Sequence, residues 1–147
     1  MRTTPATAQR FAEALHTAAH AWKLALDRRL KPLGLSRATW MALSAAAKAA
    51  APSTQIELAD AVGIEGPSMV ALIDRLEKAG LVRRIQDPAD RRAKRIEVTE
   101  AGLVVFGQIR RVAAELRAVI LADVAGEDID RALALLEHIR TEAEAQE

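Results

Sequence analysis

The sequence predicts a mainly α-helical fold that carries one small β wing. Three observations support this expectation. Half of the 147 residues are hydrophobic, alanine and leucine dominate, and tyrosine is absent, a balance that favours helix over sheet. Apolar residues recur at spacings of three and four along most of the chain. Near residue 81 that period gives way to "LVRRIQ" and "RIEVT", short runs rich in β-branched residues that read as two paired strands.

The first helix spans residues 6–31, with Phe11, Leu15, Ala18, Trp22, Leu26 and Leu30 on one stripe. "KPLGLS" stops it through Pro32 and Gly34. Ser36 caps a second helix over 36–50, with Trp40, Leu43 and Ala47 inward. Thr54 and Glu57 have the spacing of a capping box, which opens a short third helix to about Val62. The fourth helix is "GPSMVALIDRLEKAG", with Pro67 early and Gly80 just past its end. Its Met69, Leu72, Ile73 and Leu76 lie at i, i+3, i+4 and i+7 and face a core, which leaves Pro67, Ser68, Ala71 and Arg75 outside. The two strands follow, joined by the basic loop "DPADRRAK". Two further helices close the chain. Residues 101–122 carry Leu103, Phe106, Ile109, Ala113, Leu116 and Ile120 on one face, and residues 128–145 carry Ile129, Leu133, Leu136 and Ile139.

A short helix, a turn, a second helix and a basic hairpin make a winged helix-turn-helix. Here it occupies residues 36–99 of a single expected domain, 1–147. The helices at 6–31 and 101–145 carry apolar stripes that so small a winged unit cannot cover, and a twofold dimer is the simplest partner for them.

The net charge is +1, but it is unevenly placed: +6 over residues 1–52, zero over 53–99 and −5 over 100–147. Within the neutral middle, residues 78–95 hold seven basic and two acidic residues. A local basic patch on a balanced chain points to one directed contact surface rather than loose polyanion binding. No run of about 18 apolar residues is present, and the start lacks the apolar core of a signal peptide. The absence of cysteine excludes disulfides and thiolate chemistry. A cytoplasmic, nucleoid-associated protein is expected. No phosphate loop or coherent acid–base cluster stands out, so an enzyme is not expected.

The segments "RLKPLGLSRATW", "QIELADAVGIEGPSMV", "LIDRLEKAGLVRR" and "DRRAKRIEVTEAG" resemble the MarR family of bacterial transcription regulators, and within it the SlyA-like branch. The resemblance runs from about Leu26 to Gly102, and its most specific part is the Asp-x-Arg wing motif of Asp90 and Arg92. It implies a homodimer that binds palindromic double-stranded DNA and is often released by small anionic aromatic ligands.

The residues fit those expectations chemically. Ser68 can bond a base edge or a phosphate, or can simply cap the first turn of its helix. Ala71 can make only apolar contact, for instance with a thymine methyl; SlyA-like relatives often carry arginine there. Arg75 is the one long donor on that face. Arg91 and Arg92 at the hairpin tip can reach a narrow minor groove, where negative potential is strongest, and the resemblance makes Arg92 the inserting residue. Asp90 would direct a wing arginine through a charge-assisted bond. Arg83, Arg84, Lys94 and Arg95 would neutralise phosphates. The alternative for the whole run is a solvated charged loop, which would leave a non-DNA-binding helical adaptor.

The resemblance also implies a small-molecule pocket between the dimerisation helices and the winged unit. It maps to His20, Ala38, Trp40, Met41, Ser44 and Leu72, and the alternative reading of Trp40 is plain core. His20 and Ser44 stand where SlyA-like relatives tend to carry arginine and histidine, so carboxylates should bind more weakly here. His16 and His20 have a spacing that can bind zinc, which leaves a metal-responsive regulator as a further alternative. No cysteine or nearby acid completes such a site, and no metal or other cofactor is expected.

Overall fold

A computed structural model describes residues 2–146. The chain divides into two compact units, Met1–Ala114 and Glu115–Glu147.

The first unit opens with helix α1, Pro5–Leu30, whose first turn is capped by the Thr4 hydroxyl accepting from the Thr7 amide. A tight 3-10 turn, Lys31–Leu33, ends at Gly34 with φ at 74°, a left-handed conformation that a side chain disfavours. Ser36 then caps α2, Arg37–Lys48, as its spacing predicts. Strand β1, Ser53–Thr54, leads into α3, Gln55–Val62, and Thr54 and Glu57 close the expected capping box in both directions. Helix α4 is Gly66–Lys78. Strands β2, Val82–Gln86, and β3, Lys94–Val98, form the hairpin, and α5, Glu100–Ile120, crosses the boundary between the units.

The sheet has three strands in the order β1-β3-β2, all antiparallel. The sequence did not reveal β1. Its two residues pair Ser53 with Ile96 and Thr54 with Arg95, and a strand of two residues is too short to show a period. Leu30, Leu43, Leu58, Met69, Leu72, Ile73, Leu76, Val82 and Ile96 are the large, fully buried side chains. They come from α1, α2, α3, α4 and the sheet, so the recognition-type helix α4 rests on the centre of this core. Only the C-terminal end of α1 is buried within the unit, at Leu26 and Leu30, while Phe11 is exposed.

The start of α5 is tied to the turn between α4 and β2. The Thr99 amide donates to the Leu81 carbonyl at 3.0 Å. The Thr99 hydroxyl donates to the Gly80 carbonyl at 2.6 Å and accepts from the Gly102 amide at 3.0 Å. Gly102 packs so closely that a Cβ there would lie 2.0 Å from the Leu81 oxygen.

The second unit holds the end of α5 and helix α6, Gly126–Glu144, which starts two residues before the expected 128. Helix α6 buries none of its residues, and Leu133, Leu135 and Leu136 are exposed. Among the described residues no helix is long and apolar enough to cross a membrane.

Candidate nucleic-acid interface

Helix α4 presents the face its periodicity predicts. Met69, Leu72, Ile73 and Leu76 are buried, while Pro67, Ser68, Ala71 and Arg75 are exposed. Val70, which the helical spacing does not single out, is exposed beside them. It adds an apolar surface suited to a thymine methyl. Arg75 makes no ion pair among the described residues.

The hairpin is braced by its own carboxylates. At its base the Asp87 amide donates to the Ala93 carbonyl at 3.0 Å. The Asp87 carboxylate accepts from the Ala89 amide and from Arg95 Nε, each at 2.9 Å. Arg95 Nη1 continues to the Pro52 carbonyl at 3.0 Å, which fastens β3 to the segment ahead of β1. At the tip the Asp90 carboxylate accepts from the Arg92 amide at 2.9 Å, and the Ala93 amide donates to the Asp90 carbonyl at 3.1 Å. Asp90 therefore shapes the main chain at Arg92. The sequence expects Asp90 to direct a wing arginine through a charge-assisted bond, and here the Asp90 carboxylate bonds the Arg92 amide, within an aspartate's short reach to the amide two residues on.

The basic residues separate into two groups. Arg84 is largely buried and bonds Glu77 and Asp74 of α4, its Nη1 at 2.9 Å and its Nη2 at 2.6 Å, while its amide donates to Glu77 at 2.9 Å. It is a strut between β2 and the exposed face of α4. Arg83 pairs with Glu97 directly opposite on β3. Arg95 pairs with Asp87. The sequence expects all three to neutralise phosphates; in the fold each is already paired with a carboxylate. Arg91, Arg92 and Lys94 are exposed and carry no ion pair among the described residues. With Arg75 they form the unmatched positive charge of this surface.

The Glu77 carboxyl is held below its ordinary value, first by the Arg84 amide and then by the Arg84 guanidinium. Asp87 is lowered too, first by the Ala89 amide and then by Arg95. A lowered folded-state pKa stabilises the protein above the unfolded-state value, near ~4 for carboxylates, and that stability is lost as pH falls through the folded value. The urea midpoint of the wild type should therefore drop as pH falls below about 4. Asp87→Asn should show a shallower drop, and identical pH profiles for the two proteins would contradict the brace.

The residues expected to line a ligand pocket are placed as follows. Asp27 of α1 accepts from Trp40 Nε1 and from Arg37 Nε, each at 2.8 Å. Burial alone would raise the Asp27 carboxyl, but these two bonds and the charges of Arg37 and His20 together bring it below its ordinary value. Ala38, Trp40 and Met41 are half-buried, Ser44 and Leu72 are buried and His20 is exposed. The Ser44 hydroxyl is enclosed without a hydrogen-bond partner. Trp40 is half-buried and anchored at its polar edge by Asp27. A cleft of about 460 Å³ lies beside this cluster, lined by Asp27, Arg28, Lys31, Gly34, Leu35, Ser36 and Arg37, so it shares none of the six expected residues. Among the described residues no three His, Asp or Glu side chains are placed to hold a metal ion.

An exposed helix face set beside a hairpin with unmatched cations, both fixed to one core, defines a DNA-binding winged helix-turn-helix regulator. The sequence model of the MarR family matches residues 33–93. The crystal structure of the transcriptional regulator PA3341 is similar at a TM-score of 0.84, with 38% sequence identity over 92% of this chain and 98% of that one. CouR from Rhodococcus jostii RHA1, solved bound to p-coumaroyl-CoA, is similar at a TM-score of 0.76, with 26% identity over 88% of this chain and 90% of that one. The regulator BldR from Sulfolobus solfataricus is similar at 0.81, with 25% identity over 96% and 99%. The chain belongs to the MarR family of transcriptional regulators.

Proposed function

We propose that this chain acts in the cytoplasm as a homodimeric regulator of the SlyA-like branch, that it binds palindromic operator DNA, and that a small anionic aromatic ligand releases it. The observation that carries the DNA reading is the unmatched charge of Arg91, Arg92 and Lys94 on a hairpin whose other arginines are paired. Arg92 enters the minor groove, held there by the Asp90 brace on its amide. Arg91 and Lys94 contact phosphates, while Ser68, Val70, Ala71 and Arg75 face the major groove. Arg83, Arg84 and Arg95 position these groups rather than touch DNA. The dimer is supported by the uncovered Phe11 of α1 and by the uncovered leucines of α6. The ligand is supported by CouR, whose structure holds an aromatic acyl thioester, and by the Trp40–Asp27 bond with the enclosed Ser44 hydroxyl.

Operator fragments recovered by genomic footprinting test this reading. Arg92→Ala should weaken binding to them by about 1–3 kcal/mol and relax specificity at the contacted position. Lys94→Ala should weaken binding to all sequences alike and flatten the salt dependence. Wild-type affinity and salt slope in both variants would leave the helical adaptor reading. Leu133→Glu should shift the protein to monomer in sedimentation, and a monomeric wild type at micromolar concentration would exclude the dimer.

A further inference from the structure

The end of α4 that would meet base edges carries almost no hydrogen-bonding side chains. A recognition helix contacts bases through its N-terminal residues, and the exposed side chains in the first two turns of α4 are Pro67, Ser68, Val70 and Ala71. Of these four only Ser68 can donate or accept a hydrogen bond through its side chain. Pro67, Val70 and Ala71 lie at i, i+3 and i+4 and so form one apolar patch. Val70 is its largest aliphatic member and is 43% exposed. We propose that Val70 sets the base preference of this helix by contacting the C5 methyl group of a pyrimidine, and that the protein therefore responds to 5-methylation of cytosine in its operator as it does to thymine.

The major groove displays one apolar feature that differs between base pairs, the methyl group at C5 of thymine. A 5-methylcytosine displays the same group at the same place. A valine in a helix holds one dominant χ1 rotamer, so its two methyl groups point in a fixed direction and lose little freedom on contact. At about 100° per residue, Val70 shares its side of the helix with Asp74 and Glu77. Both carboxylates are engaged by Arg84. Asp74 accepts from Nη2 at 2.6 Å, and Glu77 accepts from Nη1 and from the Arg84 amide, each at 2.9 Å. A carboxylate is the group that favours the amine of an unmodified cytosine, and here that competition is damped by the pairing with Arg84. Ser68 and Arg75, seven residues apart, lie on the opposite flank of the helix. Methyl contact is therefore what distinguishes bases on the Val70 side.

The proposal rests on the reading of α4 as the groove-facing helix, and the experiment separates the two. In the footprinted operator each thymine is replaced in turn, in both half-sites, by uracil, by cytosine or by 5-methylcytosine, the last two paired with guanine. Affinity is read by fluorescence anisotropy. At one or two positions per half-site, uracil should bind about fourfold more weakly for each methyl removed, the effect of leaving one such group unburied. At those positions 5-methylcytosine should bind more tightly than cytosine by the same factor. Val70→Ala should not lower the urea midpoint, because the side chain lies at the surface, and should lose both differences. Val70→Ile should keep them. Arg92→Ala should lower affinity for every version of the operator and leave the differences in place, because it acts from the minor groove. Uracil as good as thymine at every position would overturn the proposal and leave the DNA reading intact. Methyl differences that persist in Val70→Ala would overturn the assignment to Val70. A wild type that binds none of these duplexes would overturn the DNA reading and this proposal with it.

Discussion

Gly102→Ala should lower the stability of the first unit by about 3 kcal/mol, at the upper end of what overpacking costs. The added methyl would sit 2.0 Å from the Leu81 carbonyl oxygen and 2.6 Å from Val98 Cγ1. The first obstacle is main chain and cannot rotate away. Relief requires α5 to lift from the turn between α4 and β2, which breaks the Thr99 bonds to Gly80 and Leu81. Urea unfolding followed by circular dichroism measures the loss. An alanine variant as stable as the wild type would show that the first turn of α5 is not seated where it is described. Gly107, only five residues on, has open space around its missing Cβ, so Gly107→Ala is the matched control. It should be neutral or slightly stabilising, since alanine is the better helix former.

Ile73→Ala should cost about 2–5 kcal/mol of stability, the usual range for removing a buried aliphatic side chain without collapse of the site. Ile73 is fully buried beneath α4. The variant that stays folded should bind operator DNA as the wild type does, because Ile73 faces the core and not the groove. Arg92→Ala should do the reverse and leave the urea midpoint in place. The pair distinguishes the supporting side of this surface from its reading side. An Ile73→Ala protein of wild-type stability would mean that α4 does not pack on the core through that residue.

These two residues also mark how far the sequence is legible. Helical periodicity is a local property and places Ile73 in the core from the sequence alone, and the same holds for the Ser36 cap and the box of Thr54 and Glu57. Gly102 carried no local signal of its role. Its importance comes from Leu81, twenty-one residues away in sequence, and a close approach between backbones leaves no mark on composition. The basic run was visible as charge, but its pairing was not. Arg84 meets Asp74 and Glu77 across an element boundary, Arg83 meets Glu97 across the hairpin, and Arg95 reaches back to Pro52. Counting charges therefore overstated the positive surface and hid which cations are unmatched. Strand β1 escaped because two residues owe their extended pairing to β3 rather than to their own propensities.

The bond network at Asp87 has a consequence for engineering. Asp87 and Arg95 close the hairpin at its neck, and Arg95 anchors that neck to Pro52. The residues between, 88–93, hold their shape through bonds that stay within the neck and tip. The tip can thus be treated as an interchangeable part: a graft from another regulator, joined between the same Asp and Lys94–Arg95, would inherit a prepared socket. Its sequence preference could change while the sheet, the core and the mating of α4 with β2 stayed as they are.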